Sequence, residues 1–292
     1  MNNIDYNKIG IVILNYNSHD LTIALANKVA NFTSVCNVCV VDNCSNDDFD
    51  GDFSHSKIHY IKNKKNSGYS AGNNVGLHYL IEECGCGYVF IANPDVIFDS
   101  HTIKIMHDAF LKDKKLALLS TKRYGPGNAT LHQYFDFPNL STSIKNCFFL
   151  TRRTFENKRY IIQNKRVDEA TDVLYVDAVP GAFFGINSEF LLKNNYLYEG
   201  IFLYGEEIIL GRQAHNLGYS VGVINTCTYI HDHKQKRFSN KKMFYLDRIS
   251  LKKYYHLFDN YNYFQWLMLN IAIKLGTFEY NCMYYLYHLI KK

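Results

Sequence analysis

The first part of the chain alternates short apolar runs with polar loops. The runs are largely apolar, are four to six residues long, and lie at 9–14, 38–41, 58–61, 88–92 and 116–119. Such runs, bounded by polar residues, are typical of strands that are covered on both faces by helices.

Between these runs, apolar residues recur at helical spacing. Residues 18–29 begin with serine, a favoured capping residue, and carry leucine, alanine and valine three or four positions apart. The segment 68–76 is predicted to open a second helix, and a third is predicted over 102–111. This alternation predicts an α/β fold with a mostly parallel sheet, whose loops after the strands gather along one edge.

The pattern changes in the second part of the chain. Over 121–176, turns, clustered aromatic residues and a basic run predict an irregular insert. A strand-like pattern resumes at 177–186. An amphipathic helix is predicted over 206–218, ending in a glycine cap, and a last strand over 221–224.

The final segment, 241–292, is rich in aromatic residues and lysines and predicts a helical tail after a main domain over 1–240. Aromatic and basic side chains together suit a segment that lies on a membrane surface. Helices packed on the domain or on a second subunit are an equally good interpretation. Peripheral membrane contact and oligomerisation therefore both stay open.

Composition narrows the classes of function. The 32 basic and 27 acidic residues give a formal net charge of +5, which is too mild for a nucleic-acid-binding protein but suits an anionic substrate or membrane surface. The polar N-terminus predicts no signal peptide, and the apolar stretch 266–275 is too short to span a bilayer. We expect a cytoplasmic protein, at most peripheral on the inner face of the plasma membrane, with its eight cysteines as free thiols.

Candidate chemistry follows the strands. Asn93-Pro94-Asp95 comes directly after the run 88–92 and places a carboxylate at the edge where open α/β folds bind ligands. We interpret Asp95 as a ligand of a divalent cation; a simple turn is the alternative, since all three residues favour turns. Tyr16, Asp42 and a glycine-rich loop follow other strands and should meet Asp95 in one cleft.

Two common phosphate-binding fingerprints do not occur in the sequence. Neither Gly-x-Gly-x-x-Gly nor Gly-x4-Gly-Lys-Ser/Thr is present, so a dinucleotide fold and a phosphate-cradling loop are disfavoured. If the cleft binds phosphate, a metal ion must neutralise part of its charge.

Six motifs follow one another along the chain: Asn15-Tyr16-Asn17, Val41-Asp42-Asn43-Cys44-Ser45, 66–76, Asn93-Pro94-Asp95, Gly181-Ala182-Phe183 and Glu206-Glu207. In order and spacing they resemble the family 2 glycosyltransferases, particularly the rhamnosyltransferase-like branch of cell-surface polysaccharide synthesis. The resemblance covers roughly residues 8–235. It implies a GT-A fold with a Rossmann-like, mixed and mostly parallel sheet flanked by helices, a nucleoside diphosphate sugar donor, a divalent cation (Mn or Mg) and inversion at the anomeric carbon.

The resemblance assigns donor-binding roles. Tyr16 would stack on the base, Asp42 would hydrogen-bond the pyrimidine edge, and the glycines of the 66–76 loop would let the backbone approach the nucleotide. The alternatives are a loop aromatic, a turn-capping carboxylate and a plain helix start after a flexible loop. The predicted nucleotide-binding set is Tyr16, Asn17, Asp42, Asn43, Gly68, Gly72, Asn73 and Asn93.

The resemblance also implies a metal site. Asp95 matches the last acid of the family's metal-binding motif, and Asn93 stands where many relatives carry another acid. Loss of that charge should leave more of the coordination to diphosphate and water. His231 matches the histidine that completes the site, with His233 as a nearby competitor, although a lone histidine is more often structural.

Two consecutive acids match the catalytic position. Glu207 corresponds to the catalytic base, usually Asp in relatives, and Glu206 to the acid before it. Repulsion between paired carboxylates raises one pKa, and a base beside the acceptor hydroxyl can take its proton. An exposed acidic first turn is the alternative. Because Ile209 stands where many relatives have an acid, the choice of base between the two glutamates stays open.

The resulting hypothesis is an inverting, metal-dependent hexosyl- or rhamnosyltransferase. It would move a sugar from a UDP- or dTDP-linked donor to a hydroxyl of a glycan or lipid-linked acceptor in O-antigen or capsule synthesis, with 121–176 as the acceptor wall. A non-catalytic nucleotide-sugar-binding partner subunit is the alternative that Asn93 and Ile209 favour. A sugar nucleotidyltransferase is disfavoured because 15–19 contains neither the glycine nor the lysine of a triphosphate loop.

Overall fold

The computed structural model describes residues 4–46, 53, 55–233, 241–259 and 261–290, which contain nine strands and nine α-helices. The strands are β1 (Asp5–Asn15), β2 (Asn37–Asp42), β3 (Ile58–Lys62), β4 (Cys86–Ala92), β5 (Val96–Ile97), β6 (Leu116–Tyr124), β7 (Leu174–Val176), β8 (Phe183–Asn187) and β9 (Ser220–His231). The helices are α1 (His19–Ala30), α2 (Tyr69–His78), α3 (Ser100–Lys112), α4 (Leu140–Cys147), α5 (Phe149–Asp168), α6 (Ser188–Asn194), α7 (Glu206–Asn216), α8 (Lys241–Phe258) and α9 (Tyr263–Ile290).

All nine strands belong to one sheet in the order β3-β2-β1-β4-β8-β6-β9-β5, with β7 paired to β9. β1 is parallel to β2 and β4, and β6 is parallel to β9, whereas β8 runs antiparallel between β4 and β6. Helices α1 and α3 pack on one face of the sheet, and α2, α6 and α7 pack on the other. The predicted α/β sheet flanked by helices is confirmed.

Both faces of the central strands are buried, which explains their continuous apolar sequence. Along β1, Ile11 and Ile13 pack with α1 and α3, while Val12 between them packs with α2, and all three are fully buried. Successive side chains of a strand point to opposite faces. A strand between two helical layers therefore needs an apolar residue at every position.

The prediction of an irregular insert over 121–176 is wrong. Residues 121–124 continue β6, and α4 and α5 occupy most of the remainder. α4 begins at a capping box formed by Asn139 and Thr142. α5 buries the amide side chains of Gln163 and Asn164, so its buried face lacks the apolar period by which a helix is predicted.

Strand β9 is also longer than the predicted 221–224. It runs from Ser220 to His231, pairs with β6 along most of its length, and pairs with β5 at its end. This extension carries His231 to the edge of the sheet at which β4 ends.

The helical tail packs on the domain through one face. α8 and α9 form an apolar cluster with Cys147 of α4 and Ile209 of α7, and the Tyr255 and Ser143 hydroxyls share a 2.6 Å hydrogen bond. A Cβ at Gly276 would lie 2.0 Å from the Cys147 carbonyl oxygen, so α9 approaches α4 as closely as glycine allows. Among the described helices, none is both long and apolar enough to cross a membrane. The division at residue 240 stays a prediction.

Gly276→Ala should loosen this helix contact, because the added methyl group cannot fit without moving the α4 backbone. Overpacking of this kind lowers the free energy of unfolding by about 1–3 kcal/mol. Urea unfolding followed by the fluorescence of Trp266, the one tryptophan of the chain, measures the loss. Thr277→Ala on the same helix is the matched control and should change stability by less than about 0.5 kcal/mol. Equal stability of Gly276→Ala and the wild type would contradict the close approach.

Candidate active site

The carboxyl ends of β1 and β2 are joined by buried polar contacts. Asn15 Nδ2 donates to Asp42 Oδ1 at 2.9 Å, and both residues are fully buried. Ser45 donates its hydroxyl to the same oxygen at 2.5 Å and its amide to Oδ2 at 3.3 Å. Asp42 thus caps the turn after β2, and a contact of its carboxylate with a pyrimidine stays a prediction.

Asn43 ties the neighbouring loops together. Its Nδ2 donates to Asn66 Oδ1 at 3.0 Å and to the Gly68 carbonyl at 3.1 Å. Its Oδ1 accepts from Asn63 Nδ2 at 3.2 Å. Asn43 therefore holds the loop after β3 and the start of α2 against the end of β2.

The two predicted glycines of the loop have packing reasons. Gly68 has a φ of 102°, and a Cβ there would lie 2.4 Å from the Phe202 carbonyl oxygen. A Cβ at Gly72 would lie 2.6 Å from Leu14 Cδ1. Because they lack side chains, both glycines let the start of α2 lie close to neighbouring segments of the same chain. Contact of these glycines with a nucleotide stays a prediction.

Tyr16 and Asn17 lie at the rim of the sheet edge. The Tyr16 residue is 47% exposed, and Asn17 has a φ of 54° and accepts a 2.8 Å hydrogen bond from the Asn46 amide. Asn73, by contrast, is fully buried and donates to the Tyr69 carbonyl at 3.0 Å. Within the predicted nucleotide-binding set, Tyr16 therefore offers the accessible ring on which a base could stack.

The chain after β4 turns back into β5, which pairs antiparallel with the end of β9, so that Val96 lies opposite His231. The Asp232 amide also donates to the Asp95 carbonyl at 2.8 Å. This pairing places His231 Nε2 3.3 Å from Asp95 Oδ1 and His233 Nδ1 3.3 Å from Asp95 Oδ2. One ligand atom from each of the three side chains lies within 4.8 Å of the others.

This cluster fits a divalent cation. Burial opposes ionisation of Asp95, but the hydrogen bond from His231 and the charges of both histidines outweigh it and lower the pKa of the carboxyl. An ionised carboxylate beside two imidazoles is a donor set that suits divalent ions such as manganese or zinc. His233 joins His231 in the cluster instead of replacing it.

Glu206 and Glu207 are the first residues of α7 and follow Gly205, which has a φ of 85°. The Gly181 amide donates to Glu207 Oε1 at 3.1 Å, and the Tyr69 hydroxyl donates to the Gly181 carbonyl at 2.5 Å. A Cβ at residue 181 would lie 2.7 Å from Glu207 Oε1. The glycine of the Gly-Ala-Phe motif therefore makes room for the glutamate and binds it.

Burial raises the pKa of both carboxyl groups. Desolvation and the neighbouring charge of Glu207 raise the pKa of Glu206 to about 8. Desolvation also raises the pKa of Glu207, against the opposing charge of Arg123. Glu206 Oε1 is buried and accepts no hydrogen bond from any described residue. The pair is therefore partly buried instead of forming an exposed acidic turn, and the raised pKa of Glu206 favours its protonated form near neutral pH.

One backbone segment joins the carboxylate pair to the histidine cluster. The Gly181 amide binds Glu207, and the next residue, Ala182, accepts a 2.8 Å hydrogen bond at its carbonyl from the Asn93 amide. Asn93 stands two residues before Asp95. The structure thus brings together the predicted catalytic residues and the predicted metal ligands, which lie far apart in the sequence.

Sequence reasoning missed Arg123 and the role of Tyr69. Arg123 lies near enough to Glu207 for its charge to lower the pKa of that carboxyl, and its Nε donates to the His132 carbonyl. The missed signal is the polar continuation of β6 beyond residue 119, which carries a cation to the same sheet edge. The Tyr69 hydroxyl bond to Gly181 spans 112 positions and leaves no local pattern.

Comparison with known proteins gives a family and a relative. The family described as "Glycosyl transferase family 2" matches residues 10–172. The low-salt glycan biosynthesis hexosyltransferase Agl10 of Haloferax volcanii is 24% identical over 257 residues, which is 82% of this chain and 72% of the relative.

Solved structures share the fold. GalNAc-T7 with UDP, GalNAc and Mn2+ matches 85% of this chain with a TM-score of 0.62 at 10% identity, and the chain spans 47% of that protein. S. aureus TarS 1-349 matches 93% of the chain with a TM-score of 0.52 at 15% identity, and 72% of TarS 1-349 is covered. At such identities the likeness concerns the fold alone.

The family match covers more than half of the chain and includes Tyr16, Asp42 and Asp95. The structural matches cover 85% and 93% of the chain. The chain therefore belongs to glycosyl transferase family 2 and adopts the GT-A fold.

Proposed function

We propose that this protein is an inverting glycosyltransferase that moves a sugar from a nucleoside diphosphate to a hydroxyl group of an acceptor. One observation carries the proposal. A partly buried carboxylate pair and a carboxylate-histidine cluster are joined by the segment Gly181-Ala182. Direct displacement at one carbon needs a base for the nucleophile on one side and charge stabilisation for the leaving group on the other. The groups that supply these two functions must be held at a fixed distance and orientation.

Asp95, His231 and His233 would hold the divalent cation. When bound, the cation supplies Lewis acidity to the diphosphate oxygens. The Mn2+ in the GalNAc-T7 structure supports manganese as the ion. The asparagine at position 93 removes one negative charge that relatives place here, so the second histidine supplies a donor in its place.

Glu207 is the proposed base. Its Oε1 is fixed by the Gly181 amide, which leaves Oε2 to take the proton of the acceptor hydroxyl. Glu206, which holds the proton of the pair at neutral pH, keeps a second negative charge away from the site. Burial raises the basicity of a carboxylate, which suits proton abstraction near neutral pH.

The donor is a uridine diphosphate sugar in this proposal. TarS 1-349 has been solved with UDP-GlcNAc, and GalNAc-T7 with UDP, which favours uridine over thymidine. The H. volcanii relative is a hexosyltransferase of glycan biosynthesis, which supports hexosyl transfer to a glycan or lipid-linked acceptor. Rhamnosyl transfer from a dTDP-linked donor and a place in O-antigen or capsule synthesis stay predictions.

The non-catalytic alternative loses one of its two supports. Ile209 is buried against the helical tail, so packing explains an apolar residue at that position without a loss of catalysis. Asn93 remains as its support. If the protein hydrolyses the donor only with metal, and if Asp95→Ala abolishes this hydrolysis, the non-catalytic alternative is excluded.

UDP with Mn2+ should raise the melting temperature of the protein by more than UDP alone, since a ligand that binds the folded state stabilises it. At a UDP concentration about 100-fold above Kd, the added stability is about 2.7 kcal/mol. Asp95→Ala should lose the metal-dependent part of the shift, and His233→Ala should reduce it. Asp232→Asn is the matched control and should keep the full shift. Identical shifts with and without Mn2+ in the wild type would refute the cation site.

Glu207→Gln should lower the transfer rate by roughly 100-fold to 10,000-fold, because the acceptor proton has no base. The shift of melting temperature with UDP and Mn2+ should be unchanged, since the variant keeps the size and hydrogen-bonding capacity of the side chain. Rates are measured as UDP release with a surplus of acceptor or, without one, as donor hydrolysis. A large loss in Glu206→Gln together with near-normal rates in Glu207→Gln would transfer the role to Glu206.

Stability should fall as pH rises from about 4.5 to about 8, the ordinary and the raised pKa of Glu206. In this range the folded protein holds a proton that the unfolded chain releases, so the free energy of unfolding decreases with pH. Glu206→Gln cannot ionise and should be more stable than the wild type at pH 8.5 by about 2–4 kcal/mol, but similar near pH 4.5.

Urea unfolding at the two pH values measures this difference. Glu169→Gln, which removes an exposed glutamate at the end of α5, is the control and should keep the wild-type dependence on pH. Parallel pH profiles for Glu206→Gln and the wild type would show that Glu206 is not held protonated.

A further inference from the structure

The outer face of α9 carries exposed apolar side chains along its length. The helix has 28 residues and is therefore about 42 Å long. The exposed side chains recur at steps of three, four or seven residues, and each is between 47% and 72% exposed. The row comprises Phe264, Met268, Ile271, Leu275, Phe278 and Tyr285.

Helix α8 widens this face. The two helices lie side by side and antiparallel, as Asn281 Nδ2 donates to the Tyr245 hydroxyl at 3.1 Å and His256 stacks on Trp266 at 4.2 Å. Ile249 of α8 is 61% exposed. We name the exposed side of α8 and α9, with the α9 row, Tyr245 and Ile249, the outer face.

The opposite side of α9 is already occupied. Leu269, Ala272, Ile273 and Gly276 are buried, and the first three belong to the cluster that docks the tail on α4 and α7. The exposure of the outer face is therefore not the result of an undocked helix. Apolar patches of this extent on a folded protein mark interaction surfaces.

Charge indicates the partner. Residues 241–292 contain eight of the 32 basic residues and three of the 27 acidic residues, so this segment accounts for the whole net charge of +5. Lys252 lies three positions after Ile249, and Lys274 lies between Ile271 and Phe278 in the α9 row. Arg248 is buried, and Lys242 and Lys253 lie over the Phe202 and Tyr198 rings, so Lys252 and Lys274 supply the positive charge of the outer face. Apolar side chains with these two lysines favour an apolar partner surface that carries negative charge.

A second copy of the chain fits this face poorly. A symmetric dimer places the same patch on both subunits, so the lysines of the two outer faces would meet across an apolar interface. An anionic bilayer offers both features at once, because amphipathic helices with lysines and aromatic residues lie in its headgroup region.

The outer face is attached to the proposed active site. Ser250 of α8 donates its hydroxyl to the Leu203 carbonyl at 3.1 Å, and Lys242 Nζ lies 5.9 Å from the centre of the Phe202 ring. Glu206 and Glu207 follow this segment directly. A surface held by α8 therefore lies beside the elements that carry the proposed base.

We propose that the outer face of α8 and α9 binds the surface of an anionic lipid bilayer, with the helices parallel to the membrane, and that the acceptor is carried by a lipid of that bilayer. The second part rests on the proposed function, whereas bilayer binding does not. Flotation of the full chain with vesicles tests the first part without any catalytic readout.

The wild type should float with vesicles of phosphatidylcholine and phosphatidylglycerol in equal parts, and much less with phosphatidylcholine alone. Phe264→Ser with Phe278→Ser should lower the partition coefficient by more than about tenfold, because two large apolar side chains no longer enter the headgroup region. Lys252→Gln with Lys274→Gln should lower it by about fivefold per lysine, with anionic vesicles only. Leu21→Ser on α1, which is 51% exposed in the wild type, is the matched control and should float normally.

Each variant should keep its melting-temperature shift with UDP and Mn2+, which separates a lost membrane surface from a misfolded protein or a failed donor site. Absence of wild-type flotation with anionic vesicles, or unchanged flotation of the phenylalanine variant, would overturn the proposal. Light scattering that shows a dimer, dissociated by Phe278→Ser, would overturn it as well and assign the outer face to a second copy.

Discussion

The desolvation of two consecutive carboxyl groups at the start of α7, on residues that are partly buried, is the constraint on which the site depends. A buried carboxylate must be hydrogen-bonded, neutralised or protonated. Here the Gly181 amide binds Glu207, a proton stays on the pair with Glu206, and the first turn of α7 contributes the positive end of its dipole. The residues around the pair meet this requirement. Gly181 has no side chain to collide with Glu207, and the Tyr69 hydroxyl fixes the carbonyl of the same glycine.

The mixed direction of the strands is what brings that pair to the cation cluster. β8 runs antiparallel to β4, with Phe183 opposite Ala92, so the residues that enter β8 meet the residues that leave β4. A parallel β8 would place the Gly181-Ala182 segment at the opposite edge of the sheet. The antiparallel pairing of β5 with β9 has the same effect for Asp95 and His231. Two departures from a purely parallel sheet, at β8 and at β5, thus occur where the proposed chemistry requires them, and a third pairs β7 with β9.

The sequence was most informative about elements whose burial requires an apolar pattern. β1, β2, β4 and the helices between them carry an apolar pattern because each position contacts a helix or a strand. α5 has no such pattern, because Gln163 and Asn164 lie beside Val167 on its buried face. The motifs located Asp95 and Glu207, but the Gly181 bond to Glu207 depends on the pairing of strands far apart in the chain. From the sequence, His231 and His233 are alternatives for one metal ligand. The antiparallel pairing at the end of β9 brings both histidines to the Asp95 carboxylate.

Helix α7 links the carboxylates to the tail, because it is packed on two sides. Leu210 and Ala214 contact the core beneath the sheet, while Ile209 contacts the cluster of α8 and α9. An acid at position 209 would be buried among apolar side chains here and would need a partner. The apolar residue at that position is therefore a consequence of the docked tail. The helix that carries the proposed base is held in place by the same hairpin whose other side is exposed, so catalytic geometry and the outer surface depend on one set of packing contacts.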